Sequence, residues 1–150
     1  MFRGQFLHSI DTKGRVSLPS RFRDAIAVIN DRQTLVVTPA PFESCLHAYP
    51  LNEWERLENK ISEHSNWETN AVRFRRIYIS AAIECELDRH GRVVVPQNLR
   101  ERVGLEKEVH LAGMGRIFEM WSKPRWDEAL AMNDEQQAAF KQAVMETIRI

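Results

Sequence analysis

Two short constellations in this 150-residue chain could do chemistry, and each is a version of the other. Asp11-Thr12-Lys13-Gly14-Arg15 and Asp88-Arg89-His90-Gly91-Arg92 both read Asp-x-x-Gly-Arg. Two of the three fixed residues have a structural use. In a type I turn the first carboxylate accepts from backbone N–H groups, and glycine at the fourth position tolerates positive φ. Asp11, Gly14, Asp88 and Gly91 are therefore read as turn-shaping residues. The turn does not demand the arginine. Arg15 and Arg92 each open a return strand. From a two-stranded ribbon in a major groove, such a guanidinium can contact a guanine edge or a phosphate. The adjacent carboxylate can hold it in one orientation through charge-assisted bonds. An internal Asp–Arg ion pair with no ligand is the competing reading.

Other chemistries find less support. Asp11 and Asp88 could be imagined as an acid–base pair, but an arginine beside each keeps it ionised and a poor proton donor. No Gly-rich phosphate loop, Ser-His-Asp order or H-E-x-x-H occurs, so no catalytic residue and no small-molecule substrate are expected. The five histidines (His8, His47, His64, His90 and His110) show no metal-ligand spacing. Cys45 and Cys85 cannot complete a four-ligand zinc site unaided, so neither a metal nor another cofactor is expected. Few cysteines, no apolar leader and no long uncharged apolar run point to a reducing cytoplasm without a membrane partner.

The constellations sit inside a longer repeat. A shift of 77 residues lays Phe6–Asp24 on Ile83–Glu101, with Asp11/Asp88, Gly14/Gly91, Arg15/Arg92, Val16/Val93, Pro19/Pro96 and Arg23/Arg100 identical. Further on, Cys45-Leu46-His47-Ala48-Tyr49 resembles Ile117-Phe118-Glu119-Met120-Trp121, and Trp54 follows the first as Trp126 follows the second. This is a tandem duplication, in units too small to bury an apolar face alone. In each copy period-two alternation (Phe6, His8, Ile10; Ile83, Cys85, Leu87) predicts a strand. The turn then predicts a hairpin, with Arg15–Leu18 or Arg92–Val95 as the return strand. Pro19 or Pro96 ends it, and a short helix follows with Phe22, Ala25 and Ile26, or Leu99 and Val103, on one face. Two more strands close each copy: Thr34–Thr38 with Cys45–Tyr49, and Val109–Ala112 with Ile117–Trp121. Leu51, Trp54, Leu57 and Ile61 predict an amphipathic helix after Pro50, and a second helical stretch is predicted from Asn66 to about Arg76. After the second copy, Ser122 and Asn133 can cap two helices, the first with Trp126 and Leu130 on its apolar face. The second carries Phe140, Ala143, Val144 and Ile148. The aromatic positions of these helices are read as core or subunit contacts.

The charges follow the same division. The formal net charge is zero, yet residues 1–23 carry +4, residues 24–72 carry −5, residues 73–102 carry +3 and residues 103–150 carry −2. Both basic blocks contain an Asp-x-x-Gly-Arg turn. A local basic field attracts a polyanion even when the whole chain is neutral, although ordinary solvated surface gives the same pattern.

Met1-Phe2-Arg3-Gly4, Asp11–Arg15, Val16-Ser17-Leu18-Pro19, Leu46-His47-Ala48-Tyr49-Pro50-Leu51-x-x-Trp54 and Asp88–Arg92 with Val93-Val94-Val95-Pro96 carry a resemblance. Together they resemble the MraZ family of bacterial transcriptional regulators, whose halves are similar to AbrB/SpoVT-type swapped-hairpin DNA-binding domains. The resemblance covers most of residues 1–126. It implies an α+β fold in which tandem duplicated AbrB-like units form a pseudo-dimeric β-barrel with flanking helices. The units divide as repeat 1 over 5–52, a helical connector over 53–80, repeat 2 over 81–124 and a C-terminal helical tail over 125–150. It further implies ring-shaped homo-oligomers, associated with the nucleoid. These would bind short tandem repeats in the double-stranded DNA upstream of their own operon, a division and cell-wall gene cluster, and repress it. Arg15 and Arg92, with their basic neighbours Lys13, Arg21, Arg23 and Arg89 and with Arg3, form the candidate DNA-contacting set. The copies differ where Ser20-Arg21 becomes Gln97-Asn98, and nothing in the tail beyond Ala131 matches a motif. The alternative is a protein-binding assembly or antitoxin-like module whose DNA affinity is incidental.

Overall fold

The computed structural model describes residues 1–29, 33–64 and 66–150. The first half runs β1 Gln5–Ser9, β2 Arg15–Ser17, α1 Ser20–Ile29, β3 Thr34–Pro39 and β4 Leu46–Pro50. A connector follows, α2 Leu51–Ser62, α3 Thr69–Phe74 and a π-helical turn Arg75–Ile79. The second half repeats the order as β5 Ile83–Glu86, β6 Arg92–Val94, α4 Gln97–Val103, β7 Glu108–Gly113 and β8 Phe118–Trp121, and then continues into α5 Lys123–Leu130 and α6 Asp134–Thr147. The fold is α+β, and the duplication read from sequence reappears element by element.

The pairing of the strands corrects the hairpin expected in each copy. Past its turn, β1 leaves β2 and pairs with β7, from Gln5↔Ala112 to Ser9↔Glu108. β5 pairs with β3, and β2 pairs with β6 through Arg15↔Val94, Val16↔Val93 and Ser17↔Arg92. A bridge between Ile10 and Val16, the N–H of Asp11 on the Arg15 carbonyl and the contact of His8 Nδ1 with the Ser17 carbonyl still tie β1 to β2. The result is a six-stranded antiparallel sheet, β1-β7-β8-β4-β3-β5, and a separate ribbon of β2 and β6. The closed barrel that the resemblance implies is not formed by main-chain pairing, because β1 and β5 end the sheet. The strands of the ribbon are three residues long, and the prolines that follow them donate nothing to a ladder. They are too short to pair with each other and also zip along both sheet edges. The ribbon instead covers the core with side chains.

That core is shared by both halves. Val16, Leu18, Val93 and Val95 of the ribbon region are buried with Leu46, Ala48, Leu111 and Met120 of the sheet and with Ile26 and Leu99 of the helices. Phe2, Phe22 and Phe118 meet at its centre with ring centroids 4.9–5.1 Å apart. One ring comes from the N-terminus, one from α1 and one from β8, so the cluster joins the two halves. On the outer face of the sheet Trp54 of α2 and Tyr78 of the π-helical turn pack over Val36, and Trp126 of α5 packs beside Trp121.

The helices follow local signals with three differences. The second connector helix begins at Thr69 rather than Asn66, because the Glu68 carboxylate caps the N–H groups of Asn70 and Ala71. Ser122 and Asn133 do cap α5 and α6, the latter in a capping box with Gln136. Leu130, however, is exposed rather than on a buried face, and α6 buries nothing, with Phe140 57% exposed. Ala131 is extended, and it breaks the helical path before α6 can lie on the sheet. Among the described residues no helix is long and apolar enough to cross a membrane.

Phe22→Ala is expected to lower unfolding free energy by about 3–5 kcal/mol, the range for a buried phenylalanine whose cavity does not collapse. Urea denaturation followed by circular dichroism measures it.

Candidate nucleic-acid interface

Each Asp-x-x-Gly-Arg turn is held by its own carboxylate. Asp11 Oδ1 accepts from the backbone N–H groups of Lys13 and Arg15, both at 2.9 Å, and Oδ2 accepts from Arg15 Nε at 2.5 Å. Asp88 repeats the pattern with the N–H groups of His90 (2.8 Å) and Arg92 (2.9 Å) and with Arg92 Nε (2.9 Å). Gly14 and Gly91 donate to the Asp11 and Asp88 carbonyls and take φ of +80° and +72°. Both aspartates sit below the ordinary carboxylate range. The arginine N–H is the main cause, and the guanidinium and the second N–H add to it.

The turns are completed across the chain rather than within a repeat. The Leu18 N–H donates to the Gly91 carbonyl at 3.1 Å, and the Val95 N–H donates to the Gly14 carbonyl at 2.9 Å. A side chain at residue 14 would meet the Val95 carbonyl at 2.8 Å, and one at residue 91 would enter the Arg23 side chain. Arg100, the counterpart of Arg23, lies over Gly14 and donates from Nε to the Val95 carbonyl at 2.9 Å. The first repeat thus covers the second repeat's turn, and the second covers the first's.

This exchange aims the arginines. In the ribbon Val16 and Val93 point into the core, so alternation puts Arg15 and Ser17 of β2 and Arg92 and Val94 of β6 on the outer face. Arg15 stands opposite Val94 and Arg92 opposite Ser17. The two guanidinium groups are therefore related by a pseudo-twofold axis through the Val16–Val93 pair. Each is about one-third exposed and is tied to its aspartate through Nε. Among the described residues neither gives its terminal nitrogens to another protein acceptor, and a free guanidinium fork has the geometry that matches phosphate or guanine.

The other candidates are distributed unevenly around this centre. Lys13 and Arg89 are exposed on the two turns. Arg21 and Arg23 are exposed on the first turns of α1, and Arg23 also covers Gly91. Among the described residues none of these four has a salt-bridge partner. Arg3 stands apart. It precedes β1, its backbone lies against Gly113, and the length of β1, roughly 16 Å for five residues, separates it from the turn. On the second repeat the place of Lys13 falls to His90 but that of Thr12 to Arg89, so each turn carries one such cation, whereas Arg21 of α1 has only Asn98 as its counterpart.

Sequence reasoning missed one group of polar residues. Cys45, His47 and Glu119 gather on the outer face of the sheet, away from the ribbon. Burial pushes the Glu119 carboxyl up, but hydrogen bonds from His47 and Trp121 outweigh it and leave the group below its ordinary range. Burial beside Glu119 pushes the Cys45 thiol up. The available signal was the alignment of Cys45–Tyr49 with Ile117–Trp121: antiparallel pairing of these segments puts His47 opposite Glu119.

A family model described as "MraZ protein, putative antitoxin-like" matches twice, over residues 1–77 and 78–147. The chain is 40% identical over 138 residues to a protein of Natranaerobius thermophilus named transcriptional regulator MraZ, which spans 92% of this chain and 89% of that one. A protein of the same name from Moorella thermoacetica is 37% identical over 146 residues, 97% of this chain and 98% of its own. A third, from Pelotomaculum thermopropionicum, is 42% identical over 127 residues, 85% of this chain and 83% of its own.

Because the folded aspartates have lowered pKa values, their contribution to stability is full above the unfolded value near 3.8 and is lost as pH falls through the folded value. The double variant Asp11→Asn/Asp88→Asn is expected to lose less stability than the wild type between pH 7 and pH 3. Thermal melts at the two pH values measure the difference.

Proposed function

The chain belongs to the MraZ family of transcriptional regulators, and we propose that it regulates transcription by laying the outer face of the β2–β6 ribbon on double-stranded DNA. One observation carries this reading. Arg15 and Arg92 are held by Asp11 and Asp88 in equivalent positions about a pseudo-twofold axis, with their terminal nitrogens left over. Duplex DNA has local twofold symmetry in its backbone, and a two-stranded ribbon fits its major groove. The preformed ion pairs lower the cost of ordering two long side chains on binding. Lys13, Arg21, Arg23 and Arg89 supply phosphate contacts around them, three of the four from the first repeat. Arg3 lies too far from the turns to share one groove with them and reaches the backbone at a separate point.

A single ribbon makes few phosphate contacts and binds weakly. Assembly of several chains into a ring, set on short tandem repeats, raises the effective concentration of each ribbon. We further propose that the target is the DNA upstream of its own operon, the division and cell-wall cluster, that the effect is repression, and that the protein acts in the cytoplasm at the nucleoid. Support for these points comes from the resemblance to the family. The exposed apolar positions of α6, Phe140, Met145 and Ile148, favour a second reading in which a protein partner is the main ligand and DNA affinity is incidental.

Arg15→Ala is expected to weaken binding to the fragment upstream of its own gene by tenfold or more and to leave the far-ultraviolet dichroism unchanged. A gel shift with excess competitor DNA measures it. Unchanged affinity removes the ribbon from the interface. Binding that disappears at moderate salt in wild type and variant alike supports the protein-partner reading.

A further inference from the structure

Behind the sheet, on the face turned away from the ribbon, three side chains of different chemistry converge. Cys45 immediately precedes β4 and lies two residues from His47 on the same side of the sheet, and Glu119 of β8 is the register partner of His47. Their ligating atoms, Cys45 Sγ, His47 Nε2 and Glu119 Oε2, all lie within 4.8 Å of one another. Cys45 and Glu119 are buried, and His47 is 18% exposed.

We propose that Cys45 Sγ, His47 Nε2 and Glu119 Oε2 are the protein ligands of a zinc site, with solvent in the fourth position.

Two geometrical facts carry this. The first is which atoms converge. Glu119 Oε1 is occupied by Trp121 Nε1 at 3.1 Å, and His47 Nδ1 by the Tyr78 hydroxyl at 2.6 Å. Tyr78 in turn bonds the Tyr49 hydroxyl at 2.5 Å, and its carbonyl accepts from Thr38 Oγ1 at 2.7 Å. His47 and Glu119 are thus each fixed through the far atom, as outer partners fix metal-bound histidine and carboxylate, and Nε2 and Oε2 remain for one common point with Cys45 Sγ. The π-helical turn is what brings Tyr78 over the histidine, and such turns gather at functional sites.

The second fact is distance. Nε2 and Oε2 are 3.2 Å apart, and Sγ and Oε2 are 3.8 Å apart. Charge-assisted N–H···O bonds close to about 2.7–2.9 Å, so the first of these is slack for a simple ion pair. Zinc–ligand bonds of about 2.0–2.3 Å at tetrahedral angles give edges of about 3.4 Å for nitrogen–oxygen and 3.6 Å for sulfur–oxygen. The observed edges fall close to those values, whereas the bond at the far atom of His47, Nδ1 to the Tyr78 hydroxyl, is short at 2.6 Å.

Charge and access agree. A thiolate, a carboxylate and a neutral imidazole around Zn²⁺ sum to zero, which suits a site that is mostly out of water. Binding expels the Cys45 thiol proton and frees Glu119 from its pairing with the imidazole. A cleft of about 270 Å³, lined in part by Phe42, Glu43, His47, Tyr49 and Tyr78, opens onto the histidine and would admit the solvent ligand. Thiolate with imidazole selects zinc over magnesium or calcium. The ion would tie β4 of the first repeat to β8 of the second.

The test uses the full chain, stripped with chelator and dialysed against Zn²⁺, then against Co²⁺ as a spectroscopic probe. One zinc per chain is expected, a thermal midpoint that rises with zinc, and a thiolate-to-cobalt charge-transfer band with strong tetrahedral visible absorption. Cys45→Ser abolishes the charge-transfer band, Glu119→Gln lowers zinc affinity at least tenfold, and Cys85→Ser changes neither. Substoichiometric metal, cobalt spectra without a thiolate band, or equal uptake by Cys45→Ser and wild type overturns the proposal. If a variant fails to fold, the wild-type cobalt spectrum decides alone. None of these readouts involves DNA.

Discussion

Everything in this fold depends on an exchange between its two halves. The N–H of Leu18 finds its acceptor at Gly91, and the N–H of Val95 finds its acceptor at Gly14. Arg23 roofs one turn and Arg100 the other, and the space they occupy is available only because residues 91 and 14 are glycines. A single repeat would leave those backbone groups without partners and the ribbon valines in water, at a cost no unit of that size offsets. Folding of either half therefore requires the other. The same exchange sets the distance and the angle between Arg15 and Arg92. The turn geometry that makes the fold possible is also the geometry that aims the guanidinium groups.

The Asp–Arg pairs have to be understood within that arrangement. Each is about one-third exposed, and an exposed ion pair adds little to stability. What each pair adds is direction. The carboxylate already accepts two backbone N–H groups of its turn, so the arginine bonded to it is tied to the backbone through a rigid link. Pairing also lowers the positive field at the centre of the ribbon. An attraction for a polyanion would therefore come from the surrounding cations: Lys13 and Arg89 put one on each turn, and Arg21 of α1 has Asn98 as its counterpart. The centre is built for orientation and the periphery for charge.

Local signals were legible in the sequence, and long-range ones were not. Alternation at Phe6–Ile10 and Ile83–Leu87, the turns, the caps at Ser122 and Asn133 and the helix after Pro50 all rest on neighbours a few residues away, and the sequence reading found them. The partner of each strand was not legible. β1 meets β7 about a hundred residues later, and the three-residue β2 and β6 carry too little pattern to specify a register. Local pattern therefore predicts a closed hairpin, whereas its arms separate onto different strands. Leu130 matches an apolar helical face but lies just before the extended Ala131, where nothing remains to pack against. Cys45, His47 and Glu119 escaped for a similar reason. Their spacing along the chain is unremarked by any ligand motif, and only the pairing of β4 with β8 brings them together.

That pairing shows what duplication within one chain permits. In a symmetric dimer a residue on the twofold axis meets its own copy, so a histidine there faces a histidine and a glutamate faces a glutamate. Here the axis that passes through Val16 and Val93 in the ribbon passes through His47 and Glu119 behind the sheet. Where the two halves need the same thing, an apolar contact, the axial residues are identical. Where like side chains would repel or leave a buried charge unpaired, they have become an acid and a base. The fused repeat keeps the symmetry of its ribbon and abandons it at a point where symmetry would forbid a buried polar cluster. β4 and β8 are also the central strands of the sheet, so that cluster sits on one of the seams that join the two halves.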